Sequence, residues 1–106
     1  MNLQQFLLTK ITEEACEIGQ IALKTQQFGF DETCPGMPFT NAERLHQEID
    51  DLQAAVEMLN DVGLNYTPNR DRIEHKKEKV FHYLKYSVGL GMVEGDALLT
   101  IITKGI

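Results

Sequence analysis

Apolar residues recur at three- and four-residue steps through most of the chain, the spacing of amphipathic helices rather than of strands. Leu3, Phe6, Leu7, Ile11, Ala15, Ile18, Ile21, Ala22 and Phe28 predict a first helix from about Leu3 to Gln27. The stretch from Gly29 to Phe39, with Pro35 and Pro38, reads as a loop, because proline in a helix interior removes a hydrogen bond and clashes with the preceding turn. Thr40 and Glu43 stand in capping-box spacing, so a second helix opens there. It continues through Leu45, Ile49, Leu52, Ala55, Val56, Leu59 and Val62 and stops at Gly63. A third helix is expected from about Arg70 to Tyr86, burying Ile73, Val80, Phe81, Leu84 and Val88. Gly89, Gly91 and Gly95 interrupt the chain before Ala97 to Ile102, an apolar segment too short for its period to separate helix from strand and read as a short fourth helix rather than a strand. The fold class is therefore all-α: a small antiparallel bundle of three main helices plus a short C-terminal element, in one domain over residues 1–106.

Two acidic pairs interrupt this pattern. Leu7, Ile11, Glu14, Ile18 and Ile21 step by four, three, four and three, so Glu14 occupies a seam position that calls for leucine or isoleucine. Glu17 lies on the flank of that seam and Glu13 at its far margin. On the second helix Glu48 falls inside the arc of Leu45, Ile49, Leu52 and Leu59, with Asp51 at its edge. A carboxylate withdrawn from water costs several kcal/mol unless a cation or hydrogen bonds compensate it. Packed antiparallel, the two helices would gather Glu14, Glu17, Glu48 and Asp51 into a cluster of oxygen donors. Such a set favours Mg²⁺ or Mn²⁺ over zinc, and Mg²⁺ keeps waters that phosphate oxygens can displace.

Acidic residues also solvate exposed helix faces without function. What raises these two pairs above that reading is their joint placement on facing seams. Glu43 and His46 form a Glu-x-x-His pair of the kind used by di-iron bundles, but they project from the outer side of the helix and no second copy exists. His75 and His82 are unpaired and read as surface residues, and Cys16 reads as a small core filler. Lys76, Lys79, Tyr83 and Tyr86, with Arg72 alongside, form a stripe on the third helix that could meet the outer phosphates of a substrate or simply face solvent. Phe28, Phe30 and Phe39 flank the loop and are expected to anchor it to the core more than to stack on a base.

Glu13-Glu14-Ala15-Cys16-Glu17 followed by Glu48-Ile49-Asp50-Asp51 resembles the paired Glu-Glu-x-x-Glu and Glu-x-x-Asp signature of the MazG-like all-α nucleoside triphosphate pyrophosphohydrolases. The resemblance implies Mg²⁺ held by Glu14, Glu17, Glu48 and Asp51, with Glu13 serving a further ion or the attacking water. It implies cleavage between the α and β phosphates to a nucleoside monophosphate and pyrophosphate, by a homodimer or homotetramer. The chain departs from the family in the long stretch between Glu17 and Glu48 and in the segment after Ser87. A related activity on phosphoribosyl-ATP or an alarmone, and a non-catalytic helical module binding a partner or a nucleotide, stand as alternatives.

Composition narrows the setting. A formal charge of −6 and 16 acidic against 10 basic residues argue against a nucleic-acid polymer as ligand. Two cysteines build no disulfide framework, and neither a leader pattern nor a membrane-length apolar run is evident. The expectation is a cytoplasmic protein without membrane association.

Overall fold

The computed structural model describes residues 1–105, and over these the chain is helical, with no strand. Four helices follow in order: α1 Leu3–Phe28, α2 Asn41–Asn60, α3 Arg70–Gly89 and α4 Asp96–Lys104. No helix among the described residues is long and apolar enough to cross a membrane. The chain divides into two compact units, Met1–Tyr66 and Thr67–Ile106.

In the first unit, α1 and α2 form an antiparallel hairpin. Both begin with reciprocal caps: the Asn2 side chain accepts from the Gln5 N–H while Gln5 Oε1 accepts from the Asn2 N–H. Thr40 and Glu43 repeat the arrangement at the start of α2. The seam predicted for α1 is the one that is covered. Leu7 and Ile21 are buried, and Ile11, Glu14, Ile18 and Thr25 are half-buried between and beyond them. The matching line of α2 runs Asn41, Leu45, Glu48, Leu52, Ala55 and Leu59, alternating steps of four and three, and Val62 continues it in the turn beyond the helix end at Asn60. These two lines face each other in the manner of a short coiled coil. Leu7, Ile21 and Leu59 are at most 3% exposed, and each burial contributes about 1.5–3 kcal/mol.

The register of the hairpin is pinned at both ends. At one, Gln4 Nε2 donates to the Val62 carbonyl over 3.3 Å. At the other, Asn41 is buried and its Nδ2 donates to the Gly29 carbonyl over 2.9 Å, while the Asn41 and Ala42 N–H groups donate to the carbonyls of Glu32 and Phe30. Gly29, with φ +93°, lets the chain leave α1 while its own N–H still closes the helix on Thr25. The chain therefore turns back at a fixed point.

Several sequence expectations are corrected here. Ile49 is 48% exposed rather than part of the inner arc, because it lies one residue, about 100° of rotation, past Glu48. Leu3, Phe6 and Phe28 are exposed, since the covered stripe of α1 is only one seam wide. Phe28, Phe30 and Phe39 do not anchor the loop to a core; all three are exposed, and Asn41 with the backbone holds the loop instead. Cys16 is exposed, on the opposite side from Ile18, so it fills no core.

In the second unit Asn69 caps α3 by accepting from the Arg72 N–H. Ile73, Phe81, Leu84 and Val88 mark a half-buried stripe, but no residue of α3 is fully buried, and Val80, expected in the core, is 53% exposed. The helix runs on through Gly89 rather than ending near Tyr86. After a reversal through Gly91, α4 returns so that Ile101 and Ile102 line one cleft with Phe81.

Candidate metal centre

The hairpin brings all four seam and flank carboxylates together. One oxygen from each of Glu14, Glu17, Glu48 and Asp51 lies within 4.8 Å of the others. Because the helices run antiparallel, Glu14 faces Asp51 and Glu17 faces Glu48. The i, i+3 spacing places both members of each pair on one side of its own helix. Glu14 and Glu48 are half-buried and Glu17 and Asp51 exposed, so two carboxylates form the floor of the cluster and two its open rim.

The floor is electrostatically unfavourable as it stands. Glu14 Oε2 and Glu48 Oε2 are shielded from solvent and accept no hydrogen bond. Desolvation, followed by the negative charges of Glu17 and Asp51, pushes the Glu14 carboxyl above the ordinary carboxylate range. Glu48 is pushed up as well, first by the Glu17 carboxyl close enough to share a proton with it, then by desolvation and the neighbouring charges. Two orphaned, shielded oxygens in a four-carboxylate cluster are an unpaid electrostatic cost of the kind a bound cation removes.

No basic side chain fills that role from within the hairpin. Lys10, one turn before Glu14, pairs instead with Glu13 at 3.0 Å and lies 5.4 Å from the centre of the Phe6 ring. The Glu13 hydrogen bond first, with further support from the charges of Glu14 and Glu17, raises the Lys10 ammonium above its usual value. Glu13 is accordingly turned to Lys10 and is not among the four clustered residues.

The donor set fits a hard divalent ion. All four donors are carboxylate oxygens, and oxygens bound at about 2.1 Å around an octahedral Mg²⁺ are about 3–4.2 Å apart. Spacings within 4.8 Å come into that range by small rotations of flexible acidic side chains. The two rim carboxylates leave the outward side open to a ligand.

The remaining candidates are on α3. Arg72, Lys76 and Lys79 line one surface depression with Asp71 and His75, and among the described residues none of these three cations is paired with a carboxylate. Arg70 and Lys77, on another side of the helix, are both held by Glu74. Tyr83 is 60% exposed a turn beyond Lys79 and packs its ring edge-on with His82. Glu43 is engaged in capping α2 and His46 is exposed beside it, which removes them from any metal centre in the hairpin.

Asn41 was not indicated by the sequence pattern, since a polar residue at a helix start normally faces water. Its importance comes from the carbonyl of Gly29, twelve residues away. No protein-family model, no curated protein and no solved structure matches the chain.

Proposed function

We propose that the protein is a Mg²⁺- or Mn²⁺-dependent nucleotide pyrophosphohydrolase that converts a nucleoside triphosphate and water to a nucleoside monophosphate and pyrophosphate. The observation that carries this reading is the four-carboxylate cluster with two shielded, unpartnered oxygens on its floor. The order and spacing of the two acidic motifs, which resemble those of the MazG-like enzymes, supply the reaction class. Glu14 and Glu48 would hold the ion from the seam and Glu17 and Asp51 from the rim, with its outward side left to water and phosphate. Once bound, the ion neutralises phosphate charge and lowers the pKa of a coordinated water.

The chain's own residues set the rest. The shielded floor keeps water from one side of the cluster, so phosphate oxygens approach from the rim. Glu13, which the resemblance assigns to a further ion or to the attacking water, is paired with Lys10 at the margin of the seam. Lys76, Lys79 and Tyr83 are exposed on the second unit, and their part in phosphate binding rests on the resemblance alone. The exposed apolar side chains of α1 and α2, among them Leu3, Leu8, Leu23 and Ile49, support a homodimer or homotetramer that covers them.

The test is product analysis with Mg²⁺ across common and modified nucleoside triphosphates. Equimolar monophosphate and pyrophosphate are expected; no turnover with any of them would refute the assignment.

A further inference from the structure

Beside the acidic cluster, and sharing two of its residues, the hairpin carries a groove of about 290 Å³. Phe6, Leu7 and Lys10 line it from α1, Ala54, Ala55 and Met58 from α2, and Glu14 and Asp51 close the end nearest the cluster. Its walls are apolar, and two of them are large side chains left in solvent: Phe6 is 47% and Met58 53% exposed. Leu7 and Ala55 are buried beneath and form the floor. The two alanines on α2 leave the space that a larger residue at either position would fill.

We infer that this groove receives the base of the metal-bound nucleotide and that Phe6 and Met58 are its specificity-determining walls. The inference rests on the pyrophosphohydrolase reading of the adjacent cluster. A ligand whose phosphates are held at Glu14 and Asp51 has its remaining atoms within reach of the groove, because those same residues end it. The groove sits at the lower end of the volume range of ligand sites, suited to a base with part of its sugar rather than to a larger molecule. An aromatic ring from α1 and a thioether from α2 lining one groove accept a flat π-system of any base by stacking and sulfur contact. Lys10 lies at the groove with its ammonium 5.4 Å from the Phe6 ring centre and 3.0 Å from Glu13. Among the described residues it is the one cation lining the groove, and it supplies positive charge there for a phosphate.

The experiment compares binding of non-hydrolysable α,β-methylene nucleoside triphosphates, carrying each common base, with binding of tripolyphosphate, all with Mg²⁺. The wild type should bind at least one nucleotide analogue more tightly than tripolyphosphate. Phe6→Ala should weaken that analogue about tenfold, in line with the usual loss of one base–aromatic stack, and leave tripolyphosphate unchanged. Ala54→Leu, at an exposed helical position, should fill the groove and give the same selective loss without depending on the removal of an aromatic residue. Analogue binding unchanged in both variants would overturn the groove assignment while the metal and phosphate reading stood. Wild-type protein that binds neither ligand would overturn both.

Discussion

At the scale of single residues, the account turns on Glu14 and Glu48, two carboxylates placed where a helix pair ordinarily puts leucine. Their raised proton affinity has a sign that can be checked in metal-free protein. A carboxyl whose folded value lies above its unfolded value stabilises the fold fully below the unfolded value, and that stability is lost as pH rises through the folded value. Raising the pH of chelator-treated protein from about 4 to 7 should therefore expose a destabilising contribution from these two groups. In Glu48→Gln this contribution should shrink, giving a higher metal-free melting temperature than wild type at neutral pH, because a like charge facing Glu17, Asp51 and Glu14 has been removed. The same variant should lose at least about 100-fold in turnover, since one of the four proposed metal ligands is gone. A variant that is more stable yet inactive separates a metal ligand from a structural carboxylate. Denaturation melts and initial rates measure the two halves. Glu14 was legible from the sequence because the steps of four and three left it no other direction to point. Ile49 was misread for the converse reason: one residue past Glu48, it falls just outside a stripe whose width the pattern alone does not define.

At the scale of elements, the site exists only while α1 and α2 keep their register. A slip of one helical turn, about 5.4 Å, would carry Glu48 past Glu17 and disperse the cluster. The caps and the Asn41 clamp oppose that slip. Thr40→Ala removes the hydroxyl that accepts from the Glu43 N–H and should cost about 1 kcal/mol, read as a lower melting temperature. Glu43 behaves oppositely to the clustered acids. Hydrogen bonds from the Thr40 N–H and hydroxyl hold its carboxyl below the ordinary range, so its contribution is present at neutral pH and lost as pH falls through the folded value. Asn41→Ala leaves the Gly29 carbonyl without its donor beside an unfilled space and should destabilise the hairpin by about 1–3 kcal/mol. It should also weaken Mn²⁺ binding, although Asn41 is not in the cluster. The capping box could be read directly from Thr40 and Glu43, whereas the clamp could not. Its hydrogen bond joins residues twelve apart through a loop whose conformation depends on Gly29, and no local periodicity encodes that.

At the scale of the whole molecule, charge is distributed unevenly. Residues 1–66 hold 11 acidic and 3 basic side chains, and residues 67–106 hold 5 acidic and 7 basic. The acidic unit carries the candidate metal centre, so neutral-pH stability of the intact chain should respond to divalent cations. An ion bound only by the folded state raises the melting temperature, by an amount set by its concentration relative to its dissociation constant. Millimolar Mn²⁺ or Mg²⁺ should thus raise the melting temperature of the wild type and leave that of Glu48→Gln nearly unchanged. The all-α character was plain from the periodicity of the first three segments, whereas Ala97 to Ile102 is too short for its period to separate helix from strand. What covers each apolar face was not plain, because a stripe such as Ile73, Phe81, Leu84 and Val88 specifies a face without specifying its partner. Sedimentation of the purified protein measures whether a homodimer or homotetramer supplies that cover, and a monomer at micromolar concentration would argue against it.

The most direct test of the central claim is the stoichiometry of products from nucleoside triphosphates incubated with the wild-type protein and Mg²⁺. The account predicts one pyrophosphate for each nucleoside monophosphate from at least one substrate, with both lost on chelation and in Glu48→Gln. Release of orthophosphate and a nucleoside diphosphate, or no release at all across the panel, would contradict it.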